Sequence, residues 1–397
     1  MRRFWTVLYA VTALSQIPFA LGAHHALAAI GAPFAPGIAL VAAASLATLL
    51  RGRVRRGIGD RPLARWKRLL VEEPYYVHWC ASIGASFLFA AALPLLGVAW
   101  IATGAAPVAP GALAAGCYAA GLLVAFYAVV VRRRWLRVRT LDVPIPGLGA
   151  AFDGYRIAQL SDLHIGSLCP RARADAWVDR ANALDVDLCA LTGDYVTSGV
   201  AFHEDIAAVL GRLRARDGAI AVMGNHDYFG DGEPLISLLR ARGVAVLRNE
   251  HTVVSRGADR LTIAGVDDVW TRRADVDRTL AGRDAAIPAI VLAHDPDLFP
   301  KLAALGAALV LSGHTHWGQI AVPFLAARWN VSRIAHRFHA GTYREGGSTL
   351  YVHPGMGTTG PPVRFGAPPE ITVLRLRATA QERGERRDSQ GGGEAGR

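Results

Sequence analysis

The sequence predicts a chain in two parts, an all-α transmembrane region followed by an α/β domain. Three observations lead there. Apolar residues make up 52% of the 397-residue chain. Many of them are gathered into four long runs ahead of residue 132. Beyond residue 139, short runs of Val, Ile and Leu that end in Gly, Asp, Asn or His alternate with helical patterns.

The four runs cover residues 4–29, 33–50, 76–103 and 109–131, each close to the roughly 20 apolar residues a membrane helix needs. Pro33 and Pro36 fall between the first two, and Pro107 and Pro110 between the last two. The runs therefore pair as two hairpins. Arg2 and Arg3 precede the first run, eight cations lie between Arg51 and Arg68, and Arg132, Arg133, Arg134, Arg137 and Arg139 follow the fourth. The connecting turns 30–37 and 104–110 carry no charge. The positive-inside rule places every cationic stretch, and the α/β domain after them, in the cytoplasm. The expectation is a multi-pass protein of the inner or plasma membrane, in contact with its lipid. A cleaved signal peptide is the competing reading of the first run, given Met1-Arg2-Arg3 and Ala26-Leu27-Ala28, but the run continues past the usual length. Residues 51–73, with Trp66, Leu69 and Leu70 among cations, predict an amphipathic surface helix.

The net charge of +11 follows the same division. Residues 1–139 carry fifteen Lys and Arg against Asp60, Glu72 and Glu73, so the remainder is close to neutral. Basic residues that flank apolar runs suit a membrane, and no nucleic acid partner is expected. Cys80, Cys117, Cys169 and Cys189 form no C-x-x-C, which gives neither a disulfide framework nor a cysteine zinc site.

In the α/β part the pattern predicts strands at 155–161, 186–192, 219–223, 244–249, 261–266, 289–293, 308–312, 349–353 and 370–376. Helices are predicted at 171–184, 201–216, 233–242, 274–281 and 297–305, with Pro170 and Pro234 at first-turn positions. The domain limits are then 1–139, 140–378 and a Gly- and charge-rich tail, 379–397, that reads as disordered.

Five strand ends carry chemistry. Asp162-Leu163-His164 follows the first strand, Gly193-Asp194 the second and Gly224-Asn225-His226-Asp227 the third. His294 follows the strand at 289, and Gly313-His314-Thr315-His316 the strand at 308. Ligands of α/β sheets gather outside the carboxyl ends of strands, so these loops should converge. Asp, Asn and neutral His are oxygen and nitrogen ligands for a divalent ion. A spacing of two sets both side chains of Asp162-x-His164, and of His314-x-His316, on one face of an extended segment. Asp194 follows a glycine, which leaves both of its oxygens free to bridge two ions about 3.5–4 Å apart. Taken singly, each block is a common turn or cap. Their joint occurrence, each after an apolar strand, is what calls for a site.

The order D-x-H, G-D, G-N-H-D, H, G-H-x-H resembles the calcineurin-like metallophosphoesterase family over about residues 152–376. The stretch Gly313-His314-Thr315-His316-Trp317-Gly318-Gln319-Ile320, together with Gly355-Met356-Gly357-Thr358-Thr359-Gly360, resembles its membrane-associated bacterial phosphodiesterase branch. The resemblance implies two mixed β-sheets sandwiched by helices. It also implies two divalent ions (Mn, Fe or Zn), the first held by Asp162, His164, Asp194 and His316. The second would be held by Asp194, Asn225, His294 and His314. His226 would be catalytic rather than a ligand, protonating the leaving oxygen. The implied reaction is hydrolysis of a phosphate ester, most readily a phosphodiester, by a hydroxide bridging the two metals. Attachment to the inner face of the membrane suggests a lipid-linked or membrane-adjacent phosphate as substrate. The protein-phosphatase branch has Gly-Asp-x-x-Asp-Arg where this chain has Gly193-Asp194-Tyr195-Val196-Thr197-Ser198. The Asp that orients the catalytic histidine and the Arg that grips phosphate are missing there, which speaks against a protein phosphatase. Arg364 is a substitute phosphate contact or a surface residue. The alternative of a membrane scaffold or sensor that binds metal without turnover predicts lost ligands, and all seven are present. A transporter reading has no internal repeat behind it.

Overall fold

The computed structural model describes residues 2–57 and 61–379. The predicted disordered tail thus lies outside the described residues apart from its first position.

The apolar runs are helical. They form α1 (Arg2–Leu14), α2 (Gln16–Ala29), α3 (Ala35–Gly57), α4 (Arg65–Lys67), α5 (Glu73–Thr103) and α6 (Pro110–Phe126). A π-helical turn, Arg68–Glu72, fuses α4 to α5. A second, Tyr127–Val131, prolongs α6 and runs into a 3₁₀ turn at Arg132–Arg134. Among the described residues four helical stretches are long and apolar enough to cross a membrane: Trp5–Ala29, Ala35–Arg53, Arg65–Thr103 and Pro110–Arg134. One expectation changes here. Residues 51–73 form no separate surface helix, because 51–57 extend α3 and 65–72 run straight into α5.

Among the described residues twelve strands follow, in two mixed six-stranded sheets. The first has the order β1-β12-β2-β3-β4-β5, built from Arg137–Ile145, Glu370–Ala378, Arg156–Leu160, Leu188–Leu191, Ala219–Ala221 and Val244–Val246. The second has the order β10-β11-β9-β8-β7-β6, from Gly341–Glu345, Ser348–Val352, Ala307–Ser312, Ala289–Leu292, Asp259–Gly265 and Glu250–Arg256. In each sheet the central strands run parallel: β2 to β5 in one, and β7, β8, β9 and β11 in the other. Strands buried on both faces need continuous apolar runs, which Leu188–Leu191 and Ala289–Leu292 supply.

Three apolar layers hold the domain. Ile157, Leu188, Ile220, Ile263, Leu292 and Leu311 fill the space between the sheets. The outer face of the first sheet packs on α7 (Arg171–Asn182), α8 (His203–Leu210) and α9 (Glu233–Ala241) through Trp177, Ile206 and Leu239. The second packs on α10 (Val276–Leu280) and α11 (Phe299–Ala304) through Leu280, Phe299 and Leu302. This is the predicted sandwich of helix, sheet, sheet and helix.

Three strands were not predicted. β6 and β10 lie at the edges of the second sheet, and their polar, half-exposed sequences lack the apolar signal. β1 begins inside the cationic stretch read as a membrane flank, so the boundary at 139/140 cuts through a strand. β1 pairs only with β12, and Pro144 is tolerated on such an edge.

Candidate metal centre

The parallel strands β2, β3, β4, β8 and β9 deliver all five motif blocks to one end of the sandwich. Backbone hydrogen bonds then stitch the loops together: Asp162 N–H to Gly193 O at 2.9 Å, His164 N–H to Asp194 O at 3.0 Å and Gly313 N–H to His294 O at 3.1 Å. Five of the seven expected ligands sit in the left-handed region, with φ of 53° at Asp162, 46° at His164, 57° at Asp194, 68° at His314 and 53° at His316. Each such residue costs about 1–3 kcal/mol and persists only where its surroundings over-determine it. Gly193 makes the crowding possible. Its φ is +90°, and a Cβ there would lie 2.6 Å from Gly224 N and 2.9 Å from His294 Nδ1.

Six of the seven side chains meet as two groups that share Asp194, and Asn225 joins the second through His314. In the first, His164 Nε2 is 2.9 Å from His316 Nε2 and 3.5 Å from Asp194 Oδ2, and His316 Nε2 is 3.3 Å from Asp162 Oδ1. In the second, His294 Nε2 is 3.2 Å from Asp194 Oδ2 and 3.3 Å from His314 Nδ1, which is 3.2 Å from Asn225 Oδ1. Asp194 Oδ2 therefore faces both groups. Its Oδ1 instead accepts the His226 N–H at 2.9 Å, so one oxygen, rather than two, is left to bridge.

Backbone carbonyls orient the imidazoles. A carbonyl only accepts, so the His294 Nδ1 that lies 2.7 Å from Thr192 O carries a proton. The Asp194 carboxylate holds the ring's pKa well above the usual imidazole value, so without an ion Nε2 also carries a proton and donates it to Asp194 Oδ2. His226 is held the same way by Thr197 O at 2.6 Å from its Nδ1. The missing orienting aspartate is thus replaced by a main-chain carbonyl, which no side-chain motif could reveal. His226 stands edge-on to His164 with ring centroids 4.7 Å apart, and beside Phe229 at 4.6 Å.

Two further residues play parts that the sequence did not reveal. Asp227 is buried, and its carboxylate accepts N–H bonds from Asp194 (2.8 Å), Tyr195 (2.7 Å), Val196 (3.2 Å) and Gly224 (2.9 Å). It clamps the second loop to the third. Arg364 is neither a surface residue nor free to grip phosphate. It is buried, donates to the carbonyls of Pro354, Gly357 and Ala367, and lies 3.3 Å from His316 Nδ1.

The electrostatics suit a cation. Burial lowers the His164 pKa to about 3 and that of His314 to about 4, which keeps both rings neutral with lone pairs to offer. Burial also raises Asp162 to about 6, with the Asp194 charge adding to it. Asp162 Oδ2 and His164 Nδ1 are buried with no hydrogen-bond partner. Neutral imidazole nitrogens facing each other across 2.9 Å, beside an unpartnered carboxylate oxygen, form a donor set that a divalent ion satisfies.

A model of the calcineurin-like phosphoesterase family matches residues 155–318, the stretch that holds all five blocks. The chain is 32% identical over 273 residues to the uncharacterized metallophosphoesterase YkuE of Bacillus subtilis, covering 68% of this chain and 95% of that one. It is 36% identical over 259 residues to a bovine transmembrane protein with metallophosphoesterase domain, covering 61% of this chain and 57% of the relative. The UDP-2,3-diacylglucosamine pyrophosphatase LpxG of Chlamydia trachomatis is 26% identical over 299 residues, covering 60% of this chain and 89% of that one. The strand-end donors, the paired mixed sheets and these relatives agree: the chain belongs to the calcineurin-like phosphoesterase family, metal-dependent hydrolases of phosphoric esters.

Proposed function

We propose that the chain is a membrane-anchored phosphodiesterase with a two-metal centre, held at the cytoplasmic face and acting on a phosphate linked to a lipid. The observation that carries this reading is Asp194 Oδ2, one carboxylate oxygen within 3.5 Å of imidazole nitrogens on both sides. Asp162, His164, Asp194 and His316 would hold one ion, and Asp194, Asn225, His294 and His314 the other. Bound there, the pair would generate a nucleophile from water at neutral pH and neutralise charge on the phosphoryl oxygens.

The chain's own residues do the rest. Thr197 O holds the Nδ1 proton of His226, so it is the imidazolium form, with a second proton at Nε2, that would give that Nε2 proton to the leaving alkoxide and remain as the neutral ring. Tyr195, Asp227 and Arg364 keep the loops rigid from behind. The absent Asp-Arg pair argues for a diester over a phosphoprotein. Four apolar helices ahead of the domain, and a relative named for a diacylated substrate, favour a lipid phosphate.

The test is hydrolysis by the full chain in detergent with Mn²⁺, comparing bis(p-nitrophenyl) phosphate with p-nitrophenyl phosphate. A higher kcat/KM for the diester is expected. A preference for the monoester would overturn the diesterase reading while leaving the metal centre standing.

A further inference from the structure

Residues 320–337, between the metal centre and β10, are folded inside out. The small residues Ala321 and Ala326 point inward, into a buried cluster with Trp317, Ala340 and Ala367. The large apolar residues point outward. Phe324 is fully exposed, Ile334 is 89% exposed, and Ile320, Val322, Leu325, Trp329 and Val331 are each about half exposed. This is not a frayed loop. Val322 N–H donates to Trp329 O at 2.9 Å, Trp329 N–H to Leu325 O at 2.8 Å, and Asn330 caps the turn at Arg333 N with 3.1 Å. An ordered segment that shows its apolar side chains to the outside marks an interaction surface.

Charge says what kind. Arg328, Arg333 and Arg337 are exposed on the same segment, and no acid occurs between His316 and Glu345. The Arg333 guanidinium lies over the Trp329 ring at 5.0 Å, an amphipathic pair suited to a headgroup layer.

Position narrows it further. Ala321 N–H bonds Phe365 O at 2.8 Å, and Phe365 N–H bonds Gln319 O at 2.9 Å. The same short stretch runs into the helices. Val363 and Phe365 pack with Tyr75, Tyr76, Ala125, Ala128 and Val129, and Arg364 N–H bonds Ala128 O at 3.2 Å. The exposed segment is therefore one strand away from the charged ends of α5 and α6. At its other end, His336 stands edge-on to His314 with ring centroids 5.2 Å apart.

We propose that residues 320–337 are an interfacial loop that buries Phe324, Leu325, Trp329 and Ile334 at the headgroup–acyl boundary of the membrane carrying the four helices. Arg328, Arg333 and Arg337 pair there with anionic lipid phosphates. Apolar side chains of this kind settle about 5–10 Å into the interface. The loop makes one wall of the metal centre part of the lipid surface, so a headgroup phosphate reaches the site without leaving the bilayer. This rests on the membrane half of the proposed function and not on the hydrolytic half.

The experiment labels F324C and I334C with an environment-sensitive fluorophore, using the full chain in vesicles of phosphatidylglycerol and phosphatidylethanolamine. The wild type gives the background from Cys80 and Cys117. V253C, on the far edge strand β6, is the aqueous control. Blue-shifted emission at both loop positions is expected, with quenching by headgroup-proximal spin-labelled lipid severalfold above V253C. It should weaken when phosphatidylcholine replaces the anionic lipid. Aqueous emission with quenching no greater than at V253C, at either loop position, would overturn the proposal. Quenching indifferent to anionic lipid would overturn the role of the arginines. Neither readout depends on turnover, so a failed hydrolysis assay leaves this test intact.

Discussion

His226 and Asp194 stand 2.9 Å apart through a main-chain hydrogen bond, yet they should fail differently. His226→Asn should leave the metal content of the purified protein unchanged and lower kcat by about 10²–10⁴-fold, the usual worth of a positioned acid. Metal analysis beside the kinetics separates the outcomes, since a parallel loss of bound ion would make His226 a ligand. Proton competition gives a second prediction. In the metal-free protein Asp162 holds its proton up to about pH 6, whereas His164 and His314 charge only near 3 and 4. An ion must displace a proton from His294 across this range, because Asp194 holds that ring charged well above the usual imidazole pKa, and a second proton from Asp162 below pH 6, so its apparent affinity should rise with pH throughout and most steeply below 6. Metal titration against a chelating dye from pH 5 to 8 checks this, and a flat profile across pH 6 would contradict it. The seven expected donors could be picked out because each is a side chain that closes an apolar run. Thr197 was not, because its contribution is a carbonyl that every residue possesses. Arg364 was misjudged for a related reason: the carbonyls that bury it belong to loops whose path no local pattern encodes.

At the scale of elements, the site is a set of left-handed turns held by Asp227, Gly193 and the loop after β11. Asp227→Asn replaces one acceptor oxygen with a donor facing main-chain N–H groups, and orphaned buried groups cost about 1–3 kcal/mol. A fall of a few degrees in Tm is expected, together with weaker metal binding, because the Asp194 backbone is released. A variant of wild-type Tm and metal affinity would show that the clamp is dispensable. Every predicted strand is present, since buried parallel strands announce themselves as apolar runs. The three missed strands are edge strands, where half the side chains face water and the pattern thins. The helix predicted over 201–216 ends at Leu210, with Gly211 as its cap.

At the scale of the molecule, the apolar helices and the catalytic sandwich share a buried joint. Arg133 pairs with Glu73, which also holds Arg134 at 2.6 Å, and Arg133 donates to the Leu168 carbonyl at 3.1 Å. Both partners are almost fully buried, and breaking such a pair costs about 3 kcal/mol. Arg133→Met should loosen the joint and speed tryptic cleavage at Arg132 and Arg134 severalfold in detergent. Cleavage at the wild-type rate would mean the pair does not dock the two parts. Sequence patterning revealed the two parts but not the joint, because Val363, Phe365 and Leu168 meet the helices only once the chain is folded. The proposed hydrolysis depends on a pair of divalent ions held about Asp194. The most direct measurement is aryl phosphodiester hydrolysis by the chelator-stripped full chain as Mn²⁺ is added back. No activity is expected without the ion, and a rise that saturates at two equivalents per chain as it is added. Undiminished hydrolysis by the stripped protein, or saturation at a single equivalent, would contradict it.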